Sequence, residues 1–253
     1  MDELPDIAGL VDVAPADWLA LRDRLVAIGV DAAHVAPILA LSARFSEDDR
    51  NPIRLWHLRR RDDAAALAMR LLMFGDMLTA KEAIEALGEP LYSVLADAGL
   101  LRVDDDAVRC TLRLAMAGEF HLFGDELAPG GDAVMGMRDT TIPLWRAIAP
   151  TRMVDRVLDI GCGAGALALL LCRHAAQVVA SDINPRAVAL ARINVALNGI
   201  DNIDVREGDM FAPVDGEEFD LIAAHTAYVA LPEGMEGASH CMAGGAATRW
   251  CAA

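Results

Sequence analysis

Asp159 stands two residues before Gly161 in VLDIGCGAGALALLL (157–171), and Gly163 and Gly165 follow at alternate positions. An apolar run that meets an acid, then glycines, then a helix-like apolar pattern reads as a strand turning directly into a helix. Such a junction aims the unpaired N–H groups of the helix start at the crevice above a sheet. Glycines there permit sharp backbone angles and let a ligand approach without a Cβ in the way. The glycine spacing alone suits either a dinucleotide or an adenosine-bearing cofactor. The acid narrows this, because a carboxylate at that strand end repels a pyrophosphate and attracts a cationic group. Asp182 closes VVASD about one strand-helix unit later, where a carboxylate can accept both hydroxyls of a ribose. Asp209, in EGDMF (207–211), ends the next strand within reach of an adenine amino group.

The elements that must carry these residues begin near position 154. VDRVLDI, GALALLLCRHA, QVVASDI, PRAVALARINVALN, IDVREGD and FDLIAAH alternate strand and helix patterns, which predicts parallel strands joined by crossover helices. Asn184-Pro185 reads as a cap and first helical residue, and Gly199 as a helix stop. Before residue 150 the periodicity is mostly helical: Asp17–Val30, Ala32–Phe45, and a third helix with Asn51-Pro52 as its cap and first turn. Thr79 caps AKEAIEAL with Glu82 at the capping-box position. After PLYSVLADAGLL, the stretch RVDDDAVRCTLRLAMAGEFHLFGD reads as short strands around an Asp-rich turn and an Ala-Gly turn. Helix, turn, helix and hairpin in that order resembles a winged helix. ELAPGGDAVMGM (126–137) reads as a linker. The predicted organisation is a helical, winged-helix-like domain over 1–130 and an α/β cofactor-binding domain over 131–253.

The net charge of −16, with Lys81 the single lysine, disfavours a phosphate backbone as partner. Glu82, Glu85, Glu89 and Asp97 fall on the surface a winged helix would use to read DNA, so an interaction or substrate-presenting role suits it better. No long uncharged apolar run spans a membrane, and the acidic start lacks the layout of a secretory signal. Cys110, Cys162, Cys172, Cys241 and Cys251 form no C-x-x-C pair; free thiols in a reducing cytoplasm are expected, with no zinc or other metal. His57 and His121 read as packing or surface residues.

Over roughly 154–235 the chain resembles the class I S-adenosylmethionine-dependent methyltransferases. VLDIGCGAG matches their cofactor loop, ASDINPRAVALARINVALNG the ribose-acid strand and its helix, and VREGDMF the adenine strand. A nicotinamide-type loop is G-x-G-x-x-G, and Ala166 occupies the place of its last glycine. The resemblance implies a Rossmann-like domain that binds S-adenosylmethionine. Asp159, Gly161, Gly163 and Gly165 would shape its methionine side, with Cys162 a small loop side chain without thiol chemistry. Asp182 and Ile183 would hold the ribose and flank the adenine, and Asp209 and Met210 would meet the adenine edge. The helical leader extends the likeness to the release-factor glutamine methyltransferases and their methyltransferase small domain relatives. GMRDTTIPLW (136–145) loosely matches a segment that enters their cofactor site, making Arg138, Thr140 and Thr141 candidate neighbours.

Two departures qualify what the resemblance implies. Relatives follow the fourth strand with Asn-Pro-Pro-Tyr, whose amide and proline carbonyl accept hydrogen bonds from the nitrogen being methylated. Here His225-Thr226-Ala227-Tyr228 stands there: Tyr228 keeps the aromatic position, and His225 offers a general base. Such relatives also need seven strands, whereas four precede residue 226 and the Ala/Gly-rich tail shows no alternation. The chain is expected to be incomplete at its C-terminus, with a tail that fits displaced-frame translation and a fourth strand left as a sticky edge open to self-association. The expected function is methyl transfer to a nitrogen or amide of a protein, or to a small molecule. The alternative is a non-catalytic cofactor-binding or interaction remnant, and an RNA methyltransferase fits the charge least.

Overall fold

The computed structural model describes residues 4–40, 47–126, 132–137 and 140–225, with side chains from 51 onward in the second of these stretches. It divides into two compact units, Met1–His121 with Ala196–Gly199, and Leu122–Val195 with Ile200–Ala253. Tyr228, Arg138 and the whole tail after residue 225 lie outside the described residues.

The first unit opens with α1 (Ala8–Val11), α2 (Pro15–Ala27), α3 (Ala32–Ala40) and α4 (Glu47–Leu58). Trp18, Leu21 and Leu25 recur at helical spacing and are buried, so α2 packs its apolar stripe inward. The expectation at Asn51-Pro52 is corrected: both lie inside α4, four and five residues past its first residue. Helix α5 (Ala64–Ala68), capped by the Asp63 side chain, runs on into a π-helical turn over Met69–Met73. Just after it, the buried Asp76 receives hydrogen bonds from both Arg59 and Arg70. Burial pushes the Asp76 carboxyl up, but the two guanidiniums outweigh it and hold the group below its ordinary range.

Strand β1 (Leu78–Thr79) leads into α6 (Ala80–Leu87), then α7 (Glu89–Asp97), β2 (Leu101–Asp104) and β3 (Ala107–Cys110). The capping box is formed: Glu82 N donates to Thr79 Oγ1 at 3.2 Å, and Thr79 N donates to Glu82 Oε2 at 2.8 Å. β3 lies between β1 and β2, antiparallel to both, and Asp105 makes the hairpin turn at φ +53°. His121 is buried in this unit with its Nε2 donating to the Val30 carbonyl at 2.6 Å, and burial lowers its pKa, so it acts as a packing residue. β4 (Arg113–Ala117) and β5 (Phe120–Gly124) form a two-stranded sheet around the turn at Gly118, and the chain passes into the second unit within β5.

The second unit contains α8 (Thr141–Ile148), β6 (Val154–Ile160), α9 (Ala166–Leu171), β7 (Ala175–Asp182), α10 (Pro185–Asn198, its last turn counted with the first unit), β8 (Ile203–Glu207) and β9 (Leu221–Ala224). The four strands form one parallel sheet in the order β8-β7-β6-β9. Val157 to Ile160 are buried without alternation, as befits a central strand covered on both faces. Leu158, Ile160, Val179 and Val214 form a core against which Met210 and Phe219 pack. Asp220 starts β9 in register, its Oδ2 accepting the amides of Asp155 and Arg156 at 2.9 Å each. Among the described residues β9 is an edge of the sheet, and Ile222 on it is half exposed.

The linker expectation is corrected for 132–137. Ala133 and Val134 are buried, Asp125 N donates to Val134 O at 2.7 Å, and Asp125 bridges Met135 in parallel. Gly124 and Gly136 approach so closely that a Cβ on Gly124 would meet the Gly136 nitrogen at 2.2 Å. A segment that buries apolar side chains and pairs its backbone is part of the fold.

Candidate functional site

The rim formed by the C-terminal ends of β6, β7 and β8 collects the predicted acids and glycines. β6 delivers Asp159, which is 0% exposed. Neither of its oxygens has a hydrogen-bond partner among the described residues. Burial, with a smaller push from the charge of Asp182, raises its carboxyl to about 7 against the Ala168 backbone N–H, which acts on it without meeting hydrogen-bond geometry and lowers its pKa. Two residues on, Gly161 and Cys162 donate their amides to Ser181 O at 2.8 and 3.0 Å, folding the loop back over the end of β7. Gly161, Gly163 and Gly165 all adopt positive φ, of 68°, 54° and 86°, which glycine takes at little cost. Gly165 also sets a close approach, since a Cβ there would lie 3.3 Å from Ala191 Cβ of α10.

Asp182 ends β7 and is partly exposed. Its Oδ2 accepts Gly163 N and its Oδ1 accepts Asn184 N, both at 2.9 Å, so one carboxylate braces the glycine loop and the turn into α10. The adjoining Ile183 is 65% exposed. Gly208 N donates to Asp182 O at 3.0 Å, which fixes the chain leaving β8 beside it. Asp209 follows, exposed, and Met210 sits at φ +49° with its side chain against the Leu158 core. Cys162 is buried, and burial, reinforced by Asp159 and Asp182, pushes its thiol up, so it remains a neutral side chain. His225 lies one residue past β9, with its Nε2 3.1 Å from Thr140 Oγ1. Thr141 is buried at the start of α8.

Several residues of the site escaped the sequence reading. Asn194 of α10 is buried and donates to the carbonyls of Phe123 and Ala164 at 2.8 Å each, while its Oδ1 accepts Phe123 N at 2.7 Å. It thus ties the glycine loop to β5. The signal was an amide inside the otherwise apolar run ARINVALN. Ser181, buried behind the loop, has a hydroxyl with no partner among the described residues. Arg186 clamps Asp125 through two hydrogen bonds of 2.8 and 2.6 Å. No cluster of His, Cys, Asp and Glu among the described residues could hold a metal ion, and no described helix is long and apolar enough to cross a membrane.

Comparison with known proteins bears on the same region. Residues 141–225 match the model of the family described as methyltransferase small domain. A release factor glutamine methyltransferase of Deinococcus radiodurans is 37% identical over 118 residues, covering 45% of this chain and 42% of that protein. A ribosomal protein L11 methyltransferase of Lactobacillus johnsonii is 46% identical over 70 residues, covering 27% of this chain and 22% of that protein. The crystal structure of a ribosomal protein L11 methylase from Lactobacillus delbrueckii subsp. bulgaricus shares 35% identity over 33% of this chain and 43% of that one, with a TM-score of 0.30. The chain spans less than half the length of the relatives it matches.

Proposed function

We propose that this chain transfers a methyl group from S-adenosylmethionine to a protein acceptor. The observation that carries the reading is Asp159, whose two oxygens are buried and unpartnered beside a loop of glycines. A buried carboxylate without a partner is costly, and a bound cation would relieve that cost. The residues fit the cofactor. Asp159 offers the counter-charge for its amino-acid ammonium, directly or through a water. Gly163 leaves nearly open space where a side chain would stand, the nearest atom being Val134 Cγ1 at 4.0 Å. Asp182 would take the ribose hydroxyls on acceptor sites left beside its two backbone bonds. Ile183 would flank the adenine, and Asp209 and Met210 would meet its edge, Asp209 accepting from the amino group.

When bound, the cofactor supplies a methyl group carried on a sulfonium. What the chain contributes is position and exclusion of water, since an in-line displacement at such a methyl needs at most one base. His225, beside Thr140 at the end of β9, is the residue available to take a proton from the acceptor. Tyr228 would stack on a planar acceptor group. The relatives named for a release factor and for a ribosomal protein support a protein as acceptor. For the first unit, β1 paired to β3 with α6 and α7 between β1 and β2 supports a winged-helix-like module that presents the acceptor. One feature favours a second reading, binding without turnover: His225 stands where relatives carry the acceptor-binding amide.

Incubation with methyl-labelled S-adenosylmethionine and a bacterial protein extract tests the assignment. Label in protein supports it, and label only in small molecules overturns the protein acceptor. Cofactor binding with no label in either fraction selects the second reading.

A further inference from the structure

The segment 132–137 comes near the glycine loop and is held by a buried ion pair that no part of the site as described requires. Asp125, with its side chain 1% exposed, accepts two hydrogen bonds from Arg186, itself only 14% exposed. The same carboxylate accepts Val134 N at 2.8 Å, and Asp125 N donates to Val134 O. Val134 is in turn the neighbour nearest to where a Cβ on Gly163 would lie. A second tether runs from Asn184 Nδ2 to Asp132 O at 3.1 Å, and Asn184 Oδ1 accepts Arg186 N at 2.9 Å. Asp182 links Asn184 N back to Gly163 N. The polar contacts therefore close a circuit: glycine loop, Asp182, Asn184, Asp132 and Val134, Asp125, Arg186, and back to Asn184.

A bidentate Arg–carboxylate pair fixes orientation as well as distance, which a lysine cannot reproduce. From this geometry we infer that Asp125 and Arg186 are positioning residues for the cofactor loop: their clasp fixes the strap 132–137, which is tied to the loop through Asn184 and Asp182, and sets the loop in its ligand-ready form. The effect on cofactor affinity rests on the reading given under Proposed function; the effect on the loop does not.

The full chain is used, with Asp125→Asn, Arg186→Met and Arg186→Lys as variants and Asp76→Asn, in the first unit, as a stability control. Amide hydrogen exchange of the glycine-loop peptide is measured without ligand, and the affinity for S-adenosylhomocysteine by calorimetry. Asp125→Asn and Arg186→Met are expected to speed loop exchange and weaken binding at least about tenfold, with Arg186→Lys in between. Asp76→Asn is expected to lower the unfolding temperature while leaving loop exchange and affinity unchanged. Loop exchange that stays at the wild-type rate in both clasp variants, whatever happens to affinity or melting, overturns the inference. If the wild type binds no S-adenosylhomocysteine but loop exchange responds, the clasp stands and the cofactor reading falls.

Discussion

Between the ordinary aspartate value of 3.8 and its folded value of about 7, Asp159 keeps a proton that the unfolded chain has released. The folded form binds more protons across that window, so its stability declines as pH rises through it and levels off above about 7. Thermal unfolding followed across this range should show the decline in the wild type and its absence in Asp159→Asn. Ligand binding carries the opposite sign. A cationic partner needs the ionised carboxylate, so S-adenosylhomocysteine affinity should rise about tenfold per pH unit up to about pH 7 and then flatten. Gly165→Ala is a separate probe at the same scale. Its φ of +86° and the 3.3 Å approach to Ala191 predict a loss of about 1–2 kcal/mol in denaturant unfolding. The types of these residues were legible in the sequence, because an acid followed by alternating glycines at a strand end has few uses. That Asp159 would stand unpartnered was not legible, since it depends on which donors the completed fold leaves nearby.

At the scale of elements, the strands and helices that carry the rim follow the hydrophobic pattern closely, with β6, β7 and α10 lying where strand and helix periodicity put them. Parallel strands and their crossover helices are specified by local runs of apolar residues, so one pass along the chain finds them. The misreadings have a common cause. Asn51-Pro52 looked like a cap because Pro suits a first turn, yet residues further upstream extend α4 past it. Segment 126–137 reads as a linker because of its Pro and Gly-Gly, yet Ala133 and Val134 within it are buried. Asn194 likewise owes its role to non-local backbone groups. Asn194→Ala removes the buried side-chain amide that bonds the Phe123 amide and the carbonyls of Phe123 and Ala164. Chemical denaturation should register a loss of about 2–3 kcal/mol, with the glycine loop among the first regions to exchange.

For the whole molecule, the two units invite separate tests of stability and binding. Asp76 contributes in the first unit: its lowered pKa means that this contribution is complete above about 4, the unfolded value, and is lost as pH falls below it. Asp76→Asn should therefore cost about 2 kcal/mol near neutral pH and converge with the wild type in acid, as read by urea titration. The net charge of −16 fits a protein acceptor better than a nucleic acid, whose backbone it repels. The account as a whole depends on one ionised side chain meeting one cationic cofactor at the rim of the parallel sheet. Calorimetric titration of S-adenosylhomocysteine into the wild type and Asp159→Asn at about pH 8 tests this most directly, since there the wild-type carboxyl is ionised. The account predicts one binding site per chain in the wild type and at least about tenfold weaker binding in the variant, the loss expected for removing one charged partner. Equal affinity in the two proteins, or no binding to the wild type, would contradict it.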